Sequence, residues 1–85
     1  MSVTLFTLWV DDPEPVSRWL DDHAQQHVAR NQAAKLPAGG WTMWIGLDDA
    51  DLSSRFQSDW ADVVVTYENH RRWMAEGRYL GETKG

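Results

Sequence analysis

The chain contains no cysteine. That absence excludes disulfide staples, thiolate nucleophiles and cysteine-ligated zinc or iron–sulfur centres, and it fits a reducing compartment, so the cytoplasm is the expected location. A long hydrophobic run is also missing. The N-terminal stretch Val3 to Val10 has no Lys or Arg before it and meets Asp11-Asp12 at once, so it is read as neither a signal peptide nor a membrane span. Basic charge is scarce: 8 Lys and Arg stand against 13 Asp and Glu, for a net charge of −5. Generic nucleic-acid binding needs a basic face that displaces counterions, and this balance argues against it. No serine sits in a Gly-x-Ser-x-Gly elbow, and Gly39-Gly40 leads into an expected strand with no Gly-Lys-Ser/Thr after it. Neither a hydrolase nucleophile nor a phosphate cradle is signalled, and no cofactor is expected.

What is abundant is tryptophan, six residues at Trp9, Trp19, Trp41, Trp44, Trp60 and Trp73. A chain of 85 residues buries only about 60% of its unfolded surface, so side chains this large are hard to hide six times over. Tryptophan is also the residue type most enriched where a few anchors carry the energy of a protein–protein contact. With 42% hydrophobic and 25% charged residues the composition is that of an ordinary globular domain, and nothing in it suggests a repeat or an interdomain linker. One compact domain over residues 1–85 is expected, with a frayed tail at about 81–85.

Residues 3–10 are β-branched and aromatic, apolar on both faces, and predict a central strand. Asp11 or Asp12 then caps a helix that opens near Pro13 and, from the stripe Val16, Trp19, Leu20, His23 and His27, runs to about Ala34. Pro37-Ala38-Gly39-Gly40 is a clear break, followed by a second strand at 41–47 beside the first. A short amphipathic helix follows from Asp48 to Ser58, capped by Asp48 or Asp49. The three consecutive valines then favour a third strand over 61–67, and Asn69 caps a last helix from His70 to Glu76. The order β-α-β-(α)-β-α predicts an α+β two-layer sandwich, with helices packed on a small mixed sheet.

Two groups of residues compete to carry chemistry. His23 and His27, one helical turn apart, have a spacing that suits a metal, with His70 as a third ligand, but the glutamate of a zincin helix is replaced by Ala24. Both histidines are more simply read as the polar edge of a core-facing helix. The doublets Asp11-Asp12, Asp21-Asp22 and Asp48-Asp49 do not aim two carboxylates at one point, because adjacent side chains diverge. Trp41 and Trp44, three apart on a strand, face opposite sides, which leaves one of them exposed. Trp73 stands beside Arg71, Arg72 and Met74, types enriched in interface cores.

The expected function is therefore a small non-enzymatic protein-binding module, of the accessory, immunity or phage-encoded inhibitor kind, that acts by occluding a partner or by self-pairing as a homodimer. Its contact residues are Trp44, Arg71, Arg72, Trp73 and Tyr79, with Asp48, Asp49 and Asp51 as a charged rim for a partner with a basic surface. The alternatives are an acidic nucleic-acid mimic that uses the carboxylates between Asp48 and Asp62, and a metal-dependent protein that uses His23 and His27.

Overall fold

The computed structural model describes residues 2–37 and 39–77. It is an α+β fold of three strands and three helices among those residues: β1 (Thr4–Val10), α1 (Glu14–His23), β2 (Val28–Lys35), β3 (Trp41–Leu47), α2 (Ala50–Asp59) and α3 (Tyr67–Ala75). The sheet has the order β1-β3-β2 and is antiparallel throughout, not mixed. The strands at 4–10 and 41–47 are neighbours, in the register Thr4↔Leu47 to Val10↔Trp41, but the central strand is β3 and not β1, whose second apolar face is covered at Trp9 by Trp73 of α3.

Strand alternation assigns each residue to a face. Phe6, Leu8 and Val10 of β1 and Met43, Ile45 and Leu47 of β3 form one apolar face, covered by Val16, Trp19, Leu20 and Ala24 from α1 and its end and by Phe56 of α2. Phe56 is the hub of this layer, its ring 4.9 Å from that of Phe6 and 5.3 Å from that of Trp19. Burial of such a side chain contributes roughly 1.5–3 kcal/mol each. Asp59 ties the two helices together by accepting a 2.8 Å hydrogen bond from Trp19 Nε1.

The first helix is shorter than its apolar stripe implies. It stops at His23, where Ala24 N–H returns to Leu20 O, and the chain turns into β2 instead of continuing to Ala34. The cause lies in β3. This central strand has buried side chains and a backbone edge that needs partners, and residues 28–35 supply them, with a bulge between Val28 and Arg30. Beyond Val28 the segment offers no apolar stripe to hold it as a helix on the core. The β2–β3 connection is tight: Leu36 N–H bonds Gly40 O at 2.9 Å, and Gly39 and Gly40 have φ of 107° and 82°. A Cβ on Gly40 would also lie 3.0 Å from Trp9 Nε1, so this turn needs glycine for both backbone and space.

Residues 61–67 do not form the expected third strand. Residues 60–63 turn, and only Val64 bridges Leu8, with Trp9 N–H to Val63 O at 2.9 Å and Val65 N–H to Thr7 O at 2.7 Å. The valines serve the sheet as a short clamp on the outer edge of β1. The last helix is capped by Thr66, whose hydroxyl accepts from Asn69 N–H, and not by Asn69 itself. Asn69 is buried and its Nδ2 donates to Ala61 O and Val64 O, at 2.8 and 2.7 Å, which holds the 61–64 turn against α3. Asp49 caps α2, its Oδ2 accepting from Leu52 N–H, whereas the N-cap of α1 is Pro13, with no side-chain cap bond, and not Asp11 or Asp12; Asp12 Oδ1 accepts only from the neighbouring Glu14 N–H.

Candidate functional site

On the opposite face of the sheet the covering is partial. Trp9 points there from β1 and is buried against Trp73 of α3, the ring centroids 5.6 Å apart. Away from Trp9, the registers line up two rows of side chains across the three strands: Thr7, Trp44 and Gln32 in one, Leu5, Gly46 and Arg30 in the next. No helix covers these rows among the described residues. Leu5 is 64% exposed, Val3 44%, and Trp44 half-buried.

The rows are packed against one another. The Arg30 guanidinium carbon sits 5.9 Å from the centroid of the Trp44 ring, and Arg30 Nε donates a 2.7 Å hydrogen bond to Gln32 Oε1. An arginine over an indole face is attracted by the ring quadrupole, and the bond to Gln32 fixes its plane. Gly46 is the floor of the patch: a Cβ there would meet Leu5 Cδ2 at 3.0 Å, Val3 Cγ1 at 3.1 Å and Arg30 Cβ at 3.2 Å. The absence of a side chain at Gly46 lets Leu5, Val3 and the Arg30 stem close over the strand. The result is a flat patch with an aromatic face, an aliphatic pad, a held cation and an amide, and no pocket forms among the described residues. These groups suit contact and hydrogen bonding with another surface.

The residues singled out from sequence are scattered. Trp44 lies at the centre of this patch, and Trp41, on the opposite face as expected, packs half-buried against the main core. Trp73 is 1% exposed, so its side chain is not presented at the surface and it leaves the set of contact residues. Its neighbours Arg71 and Arg72 are exposed on the outer side of α3, where Arg71 lies 5.8 Å from the Tyr67 ring centroid. Tyr79 lies outside the described residues. Asp49 is occupied as the cap of α2 and Asp48 pairs with His27 Nδ1 at 2.9 Å, which leaves Asp51 as the exposed member of the expected rim.

The histidine pair loses its helical premise because α1 ends at His23. The His23 ring stacks on Trp19, 4.7 Å between centroids, with Nδ1 3.1 Å from Trp19 O, while His27 sits in the following turn on Asp48. His70 is exposed on α3. No group of three His, Asp or Glu placed to hold a metal ion is present among the described residues. No helix among them is long and apolar enough to cross a membrane.

Arg30, Gln32 and Leu5 are the patch residues that sequence reasoning passes over. The apolar stripe ends at Val28, and residues 29–35 carry neither a helical stripe nor the apolar alternation of a strand, so nothing local marks Arg30 and Gln32 as strand residues. Comparison of the chain with family models, curated proteins and solved structures finds no match in any of the three.

Proposed function

We propose that this chain is a small protein-binding module that acts by occluding or bridging a partner, and that it engages that partner through the uncovered rows of the sheet around Trp44. The observation that carries this reading is the held pair of Arg30 and Trp44 beside Leu5, an aromatic, a cation and an exposed aliphatic side chain on one flat face. Tryptophan and arginine are the types most often found at the energetic centre of such contacts. A strand of a three-stranded sheet holds Trp44 in place before binding, so little ordering cost falls on association.

The expected test is capture from native host lysate by the immobilised chain, compared with a Trp44→Ala variant whose fold is verified by circular dichroism. Trp44 is half-buried and its loss leaves the main core intact, so the variant folds. Its partner affinity falls by more than about 2 kcal/mol, the scale of a hot-spot residue. A folded variant that captures the same partner equally well removes Trp44 from the site and contradicts the reading.

A further inference from the structure

The outer edge of β1 is clamped by Val63 to Val65, whereas among the described residues β2 is an edge strand, and its residues 29–35 are all exposed. The alternation of an antiparallel ladder identifies which of its backbone groups face outward. Trp9 donates to Val63 O and Thr7 O accepts from Val65, so Thr7 and Trp9 point away from β3 and Leu8 points toward it. Its partner Met43 then points to β1, while Thr42 and Trp44 point to β2 and meet Ala34 and Gln32. The N–H and C=O groups of Asn31, Ala33 and Lys35 are therefore turned outward. The Leu36 to Gly40 bond in the hairpin sets the same phase from the other end.

Charge distinguishes between occupants. In a chain of net charge −5, β2 carries Arg30 and Lys35 and no acid. Neither makes an ion pair among the described residues. The guanidinium of Arg30 is already oriented by Trp44 and Gln32, and its Nε is used while the residue stays exposed. A second copy of the chain would bring two basic strands into register and two acidic molecules together. A carboxylate-bearing strand neutralises both cations and can take the free edge of the Arg30 fork in two-point contact. Arg30 and Lys35 lie on opposite faces of β2, so the matching carboxylates lie on opposite faces of the incoming strand, an odd number of residues apart.

We infer that β2 is a docking edge for an extended acidic segment of another protein, which adds as a fourth strand on the N–H and C=O groups of Asn31, Ala33 and Lys35 and sets a carboxylate against Arg30. The inference rests on the protein-binding reading above and names the chemistry of the partner. The bulge between Val28 and Arg30 ends the pairing stretch on one side and the hairpin ends it on the other, so the added strand is short.

The test uses a terminally blocked peptide of about eight residues, rich in threonine and valine, with one glutamate on each face, together with its twin in which both glutamates are lysine. In an amide-resolved NMR titration the glutamate peptide binds and slows exchange at Asn31, Ala33 and Lys35, while Gln32 and Ala34 change little. Ala33→Pro removes an outward N–H, which an edge strand tolerates, and abolishes binding. Arg30→Glu combined with Lys35→Glu, both on the exposed surface, weakens the glutamate peptide by about tenfold or more and reverses the preference toward the lysine twin. Should Ala33→Pro fail to fold, the reversal by the double charge variant decides alone. Equal binding of the two peptides, or none at millimolar concentration, overturns the inference. So does concentration-dependent protection of these amides without peptide, accompanied by a dimeric mass, which would give the edge to a second copy. A lysate partner lost in Trp44→Ala but kept by Ala33→Pro overturns this edge and leaves the protein-binding reading standing.

Discussion

Replacing Trp73 with alanine is expected to lower the unfolding free energy by about 3–5 kcal/mol, the cost of removing a fully buried tryptophan and leaving a cavity. Trp73 is 1% exposed and packs on Trp9, the large apolar side chain that β1 sends to the face opposite the main core. Without Trp73, α3 loses its main anchor on that face and Trp9 is uncovered. A chain of 85 residues has a total stability of roughly 4–13 kcal/mol at typical values per residue, so this one change removes a large share of it. Urea unfolding measures the effect directly. Arg72→Ala, at the exposed neighbour, is the matched control and stays within about 0.5 kcal/mol of wild type. A loss below about 1 kcal/mol for Trp73→Ala would return that side chain to the surface.

The second large effect is expected at Asn69, where Asn69→Asp keeps the shape and removes the donors. The Asn69 amide gives both its hydrogens to main-chain carbonyls, those of Ala61 and Val64. An ionised carboxylate in that place donates nothing, leaves two carbonyls unsatisfied at about 1–3 kcal/mol each, and faces them with like partial charge. The variant is expected to lose at least about 3 kcal/mol at neutral pH, more than Asn69→Ala. Burial and the carbonyls favour the protonated form of the introduced carboxyl, so its pKa in the folded chain lies above its unfolded value. The folded state then holds the proton more tightly, stability falls as pH rises through the folded pKa, and the penalty shrinks on acidification. Unfolding measured across acid to neutral pH, with wild type as reference, reads this out. A penalty that is small and independent of pH would mean that the amide does not hold the 61–64 turn.

These two residues also show where the sequence was legible and where it was not. β1, β3 and α2 with its Asp49 cap announce themselves, because runs of β-branched and aromatic residues, a Pro-Ala-Gly-Gly break and an aspartate before an amphipathic stretch each act locally. β2 does not, since alanine, arginine, glutamine and lysine favour a helix in isolation and only the unpaired edge of β3 makes them a strand. The patch was half visible for the same reason: Trp44 could be placed from its own strand, but Arg30 and Gln32 depended on recognising the neighbouring one. The sequence neighbours of Trp73 are a poor guide to it, because in a helix Arg71, Arg72 and Met74 point elsewhere and the side chain one turn away is Asn69. That i, i+4 pair is the buried side of α3, and it was present in the sequence.

The uncovered rows around Trp44 and the docking edge both depend on residues 28–35 being an unpaired edge strand. Native-state amide exchange across that segment tests this most directly. The account predicts an alternating pattern in the free protein, with slow exchange at Gln32 and Ala34, whose N–H groups turn toward β3, and fast exchange at Asn31, Ala33 and Lys35, whose N–H groups turn to solvent. Uniformly slow exchange would mean that the edge is already covered, and uniformly fast exchange would mean that β2 is not paired to β3; either would contradict it.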